Sequence, residues 1–138
     1  MSNNDIFIKK LRSSSLRPTK QRIQICRLLF DRKDTFHFTI NDLSNSLKKI
    51  TLEKISLATI YNTIHAFKEK GYLKEISINS DKTYFDTNVS NHHHFFDENK
   101  RELIDLNEKD VGNVKIKKIL PGKKIKSIEV LVKIANNN

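Results

Sequence analysis

Apolar positions recur at helical spacing through the first half of the chain and switch to alternation after Gly71. Ile6, Phe7 and Leu11 predict a short first helix over Asp5 to Arg12. A second is predicted from Pro18, suited to a first turn because it has no N–H to leave unpaired, to about Phe30, with Ile23, Cys26 and Phe30 as its buried stripe. Thr39 followed three positions on by Asp42 reads as a capping box opening a third helix, through Leu43 and Leu47 to about Ile50. Ser56 caps a fourth that runs to Lys70, where Gly71 supplies the left-handed residue that ends it. Four helices thus precede the first expected strand.

After Gly71 the pattern predicts a hairpin: Leu73 to Ile78, a polar turn over Asn79, Ser80, Asp81 and Lys82, then Thr83 to Thr87. Helices followed by a hairpin are the parts of a winged helix. Glu102 to Leu106 and Ile125 to Ile134 read as further strands, the second alternating Ile128, Val130, Val132 and Ile134 against Glu129 and Lys133. So few strands do not make a free-standing sheet, so this half is expected to complete its core against a second copy. Residues 107–120 fit a short helix or a strand equally well, and Asn136 to Asn138 read as a disordered end.

Composition narrows the function. With 138 residues, 26 Lys and Arg against 16 Asp and Glu, and a net charge of +10, the chain is a small basic protein suited to a polyanionic partner. The abundance of Lys, Asn and Ile beside three Gly and two Pro also fits an AT-rich coding sequence, so the distribution of charge counts for more than its sum. Residues 1 to 34 hold nine bases against three acids, whereas residues 84 to 110 hold seven acids against three bases together with His92, His93 and His94. No apolar run approaches the roughly 20 residues that span a bilayer, and the N-terminus lacks a secretory pattern, so a cytoplasmic chain with no membrane partner is expected. The single Cys26 makes an internal disulfide or a structural four-cysteine zinc site impossible.

On the fourth helix the stripe Leu57, Ile60, Ile64 and Phe67 leaves Ala58, Tyr61, Asn62 and His65 on the opposite face. An uncharged face with an amide and an aromatic ring suits major-groove reading, because Asn pairs bidentately with adenine and a Tyr ring packs on a thymine methyl. Arg17, Lys20, Arg22, Lys74 and Lys82 would then neutralise phosphates. If 92 to 94 are extended, His92 and His94 project to one side and His93 to the other. Imidazoles with a carboxylate form an N/O set for Fe(II), Mn(II) or Zn(II), and a His also ligates haem iron.

Three stretches together resemble the ferric uptake regulator superfamily, and within it the iron response regulator branch. They are Leu16-Arg17-Pro18-Thr19-Lys20-Gln21-Arg22, Ser56-Leu57-Ala58-Thr59-Ile60-Tyr61-Asn62-Thr63, and Tyr84-Phe85-Asp86-Thr87-Asn88 with His92-His93-His94-Phe95-Phe96. The resemblance implies an α+β homodimer: an N-terminal winged-helix DNA-binding domain (1–87) followed by a small C-terminal α/β dimerisation and ligand-sensing domain (88–138). By position it implies a DNA-binding set of Arg17, Lys20, Arg22, Ser56, Thr59, Tyr61 and Asn62, with Arg17 reaching into the minor groove. Asn62 stands where many relatives carry Arg, which favours an A·T-rich palindromic operator. The family's sensing site maps onto His37, Asp86, His92 and His94 as metal ligands. Where most relatives have a Cys-x-x-Cys pair, this chain has Asp97-Glu98-Asn99-Lys100, an absence typical of the iron-response branch, and it has no His after His94. The expectation is an iron- and haem-responsive transcriptional regulator of iron homeostasis genes, haem binding through His92, His93 and His94. The alternative is a conventional Fe, Mn or Zn-dependent repressor of the same superfamily. Nothing in the sequence carries a catalytic signature, so an enzyme is not expected.

Overall fold

The computed structural model describes residues 2–137. The chain divides into two compact units, 1–89 and 90–138, and the fold is of the α+β class.

The first unit opens with α1 (Asn3–Ser13), whose Ser2 and Asp5 form a capping box that extends the helix beyond its predicted ends. In α2 (Lys20–Phe30) the cap is Thr19, whose side chain accepts the Arg22 N–H, so Pro18 lies outside the helix rather than in its first turn. The buried residues of α2 are Ile25, Cys26 and Leu29. The predicted Ile23 and Phe30 sit half-buried at the edge of the core, because Cys26 belongs to two possible stripes and only packing selects one. The strand β1 (His37–Phe38) precedes α3 (Ile40–Ile50), so only two helices come before the first strand. Two residues carry no periodicity to detect; their partner makes them a strand. The Thr39–Asp42 capping box of α3 is present in both directions.

Helix α4 (Leu57–Lys70) is capped by Ser56 and ends at Gly71, whose φ of 88° is the left-handed value only glycine adopts cheaply. Its buried stripe is Ile60, Thr63, Ile64 and Phe67. The predicted Leu57 is 54% exposed in the first turn, and Thr63 takes its place because its hydroxyl donates to the Thr59 carbonyl at 2.7 Å, leaving no polar atom unpaired. The hairpin forms as predicted, from β2 (Lys74–Asn79) and β3 (Lys82–Asp86), and β1 pairs antiparallel with the other edge of β3. Three helices and Phe38 of β1 close over one core with α1, the winged-helix arrangement.

The second unit is a three-stranded sheet in the order β5-β4-β6. Strands β4 (His93–Asp97) and β5 (Glu102–Leu106) form an antiparallel hairpin, and β6 (Leu131–Ile134) runs parallel to β4. The strand predicted over Ile125 to Ile134 is thus reduced to its last four residues, because β4 is five residues long and offers no partner to the rest. Within the ambiguous segment a short helix, α5 (Glu108–Val111), is capped by Asn107. Asn136, expected to be disordered, donates its N–H to the Asn99 side chain at 2.6 Å; Asn138 lies outside the described residues. Among the described residues no helix is long and apolar enough to cross a membrane.

Candidate metal centre and nucleic-acid interface

In the first unit the β1–β3 register sets His37 directly opposite Asp86. The His37 Nε2 lies 3.1 Å from Asp86 Oδ2, while Asp86 Oδ1 accepts the Asn88 N–H at 2.8 Å. Asp86 is fully buried and His37 is one-fifth exposed. A carboxylate at such depth needs partners on every oxygen, and this one has an imidazole and a backbone amide.

In the second unit, alternation along the extended 92–94 segment puts the His92 and His94 rings together, centroids 4.4 Å apart. His93 faces the other way and its Nδ1 accepts the Val130 N–H at 3.0 Å, tying β4 to the entry of β6. The three are 9%, 6% and 5% exposed in sequence order. Asp105 completes the cluster: its Oδ1 is 3.2 Å from His92 Nε2 and 3.5 Å from His94 Nε2. The His92 Nδ1 lies 2.7 Å from the Ser90 carbonyl, an acceptor, so it carries the proton and donates there. In a neutral imidazole that leaves the Nε2 lone pair aimed at a carboxylate. Two such groups are joined by a shared cation, either a proton that makes the imidazole charged or a metal ion held between them. Ligands each about 2.1 Å from one ion stand about 3.0 Å apart at right angles and about 3.4 Å at the tetrahedral angle; the 3.2 Å separation lies between these values and the 3.5 Å one just above them.

Asp105 was absent from the sequence-derived set. Its place is set by the turn: Asp97 Oδ1 accepts the Asn99 and Lys100 N–H groups, and Arg101 takes a φ of 56°. That turn pairs Asp97 with Glu102 and therefore His94 with Asp105.

The outer face of α4 presents Ala58, Tyr61, Asn62 and His65, all exposed. Tyr61 is 57% exposed and stacks on His65, ring centroids 6.0 Å apart and nearly parallel. Ser56 Oγ accepts the Thr59 N–H and donates to the Thr59 hydroxyl, so both side chains are engaged in the helix cap. Arg17 and Lys20 are exposed, whereas Arg22 is half-buried. Its Nη1 donates to the Arg17 carbonyl at 3.0 Å, and its Nε is buried without a protein partner. Arg22 braces the segment that displays Arg17. On the hairpin, the Lys82 ammonium stands 5.3 Å from the Tyr84 ring centroid.

A profile described as the Ferric uptake regulator family matches residues 13–134. The chain is 32% identical over 107 residues, 78% of its own length and 69% of the other's, to the peroxide-responsive repressor PerR of Staphylococcus epidermidis (strain ATCC 12228 / FDA PCI 1200). To PerR of Staphylococcus aureus (strain Mu50 / ATCC 700699) it is 33% identical over 99 residues, 72% of this chain and 65% of that one. The chain therefore spans about two thirds of the length of the curated relatives it matches. Among solved structures, the ferric uptake regulator from Pseudomonas aeruginosa with manganese superposes with a TM-score of 0.70 at 16% identity, covering 96% of this chain and 99% of that one. The Campylobacter jejuni peroxide stress regulator gives 0.60 at 22% identity, covering 100% and 98%. At those identities the likeness is one of fold.

Proposed function

Because the chain belongs to the ferric uptake regulator family, we propose that it is a DNA-binding transcriptional repressor whose grip on its operator depends on a bound divalent ion. The reading takes His92, His94 and Asp105 as ligands of that ion; for His37 and Asp86 a ligand role rests on the family resemblance alone. The observation that carries it is the His92–His94–Asp105 cluster, where a lone pair meets a carboxylate across a gap of one cation. Two imidazoles and a carboxylate with further positions open are a donor set for Fe(II), and Mn(II) is served by the same oxygens and nitrogens. A bound ion supplies charge that holds these donors together. Whatever binds better in one arrangement of the units shifts DNA binding by that difference in affinity.

In this reading the first unit binds DNA and the second dimerises and senses. Asn62 and Tyr61 read an A·T-rich palindromic operator, Arg17 and Lys20 meet phosphates, Arg22 positions Arg17, and Ser56 and Thr59 hold the start of the reading helix against the backbone. The haem ligand expected from the sequence fits less well than a divalent ion. An axial imidazole needs a ring nitrogen open to a flat macrocycle, and His92, His93 and His94 are all nine-tenths buried, with His93 Nδ1 already accepting a hydrogen bond. The peroxide-responsive repressors among the relatives favour a second layer to the reading, in which peroxide is the signal when the ion is Fe(II).

The test is DNA binding under anaerobic conditions with Mn(II), Fe(II), Zn(II) or haem added in turn. Mn(II) and Fe(II) should each tighten binding at least tenfold, and Asp105→Asn should lose that gain by removing the carboxylate's charge while keeping its shape. Added peroxide should release DNA from the Fe(II) form and leave the Mn(II) form bound. Equal binding with and without metal, or a response to haem alone, would overturn the proposal.

A further inference from the structure

The second unit is electrically two-faced. Residues 90–111 carry six acids against three bases, whereas residues 112–126 carry six lysines and no acid. Those six are Lys115, Lys117, Lys118, Lys123, Lys124 and Lys126. All are exposed, and none makes an ion pair among the described residues. The segment between α5 and β6 forms neither helix nor strand, so the lysines support no ladder and no helix face. One local device shapes it: Leu120-Pro121-Gly122-Lys123 is a tight turn, with the Lys123 N–H donating to the Leu120 carbonyl at 3.1 Å. Gly122 supplies the positive φ, 73°, that a Pro-Gly turn requires at its third position. The turn sets Lys117 and Lys118 on one side of a single tip and Lys123 and Lys124 on the other. Like charges gathered in this way repel, and among the described residues no ion pair offsets them.

We propose that this arm, residues 112–126, is a second nucleic-acid contact, an exposed lysine tip that takes the phosphate backbone of duplex DNA outside the sequence read by α4. The inference rests on the DNA-binding reading above. A reading helix engaged with an operator holds the arm at high effective concentration near the flanking duplex, so contacts too weak to act alone add to affinity without adding sequence preference. Membrane attachment is the less fitting use of the same charge, since it favours an amphipathic helix with its apolar face segregated, and here Val114, Ile116, Ile119 and Ile125 alternate with lysines on a non-helical backbone.

The test uses the whole 138-residue chain loaded with Mn(II) and mixed-sequence duplexes, because phosphate contacts are independent of sequence. The variant replaces all six lysines by Gln; a companion replaces them by Arg, keeping the charge. Each neutralised phosphate contributes about 0.9 to the slope of log K against log salt, so on a duplex of about 40 base pairs the Gln variant should lose about 3 to 5 from that slope while the Arg companion loses none. Phosphatidylglycerol vesicles should not bind the wild type in preference to the duplex. An unchanged slope in the Gln variant overturns the inference and leaves the proposed function standing, as does preferential vesicle binding. Loss of metal dependence with the slope difference intact overturns the proposed function and leaves this arm as a nucleic-acid contact.

Discussion

Burial pushes the Cys26 thiol up from 9.0 to about 12, chiefly by desolvation, with the Lys10 charge pulling weakly the other way. In the unfolded chain the thiol ionises first as pH rises. The folded state therefore holds an extra proton between about pH 9 and 12, and the contribution to stability is constant below pH 9 and falls across that window. A neutral, fully buried thiol is also a poor nucleophile. Native protein at pH 8 should resist alkylation by iodoacetamide and react only once denatured; rapid reaction of the native form would contradict the placement of Cys26 in the core. The histidines show the converse, where alternation rather than depth assigns the chemistry. His92 and His94 share Asp105, and His93, equally buried, is spent on the Val130 amide.

At the scale of elements, α4 separates two tasks along one helix. Ile60, Thr63, Ile64 and Phe67 anchor it in the core, and Tyr61 and Asn62 are presented outward, with no partner for the Asn62 amide among the described residues. Because Asn62 bears on no core contact, Asn62→Ala should leave stability within about 0.5 kcal/mol yet cost about 1 to 3 kcal/mol of discrimination between operator and scrambled duplex. Competition binding on the two duplexes measures it, and an unchanged ratio would remove Asn62 from the reading face. In the proposed reading, the hairpin β4–β5 does for the metal donors what α4 does for the bases. Its turn at Asp97 to Arg101 fixes the register, and register alone sets Asp105 across from His94.

The whole molecule has more apolar surface than its second unit can cover. Val114, Ile116, Ile119, Leu120, Ile125 and Ile128 are all exposed, and the unit's sheet has only three strands, with β5 and β6 at its edges. So many exposed apolar residues in so small a unit are expected to close against a second copy, and a symmetric pair would match a palindromic operator. Light scattering at micromolar concentration should give about twice the 16.1 kDa of the chain; a clean monomer would count against two-site binding.

Much of this was legible in the chain itself, because it is local. Capping at Thr39 and Ser56, the stop at Gly71, the β2–β3 hairpin and the split of His93 from His92 and His94 follow from spacing over a few residues, where backbone geometry decides the outcome. Tertiary structure decided whatever needed a partner distant in sequence. It made a strand of His37 and Phe38 by pairing them with β3, chose Ile25 and Leu29 over Ile23 and Phe30 as the buried face of α2, and cut the expected Ile125 to Ile134 strand to the four residues that β4 can pair. Asp105 belongs to the same class: its neighbours in sequence say nothing of imidazoles, and only the ladder carries its carboxylate to them.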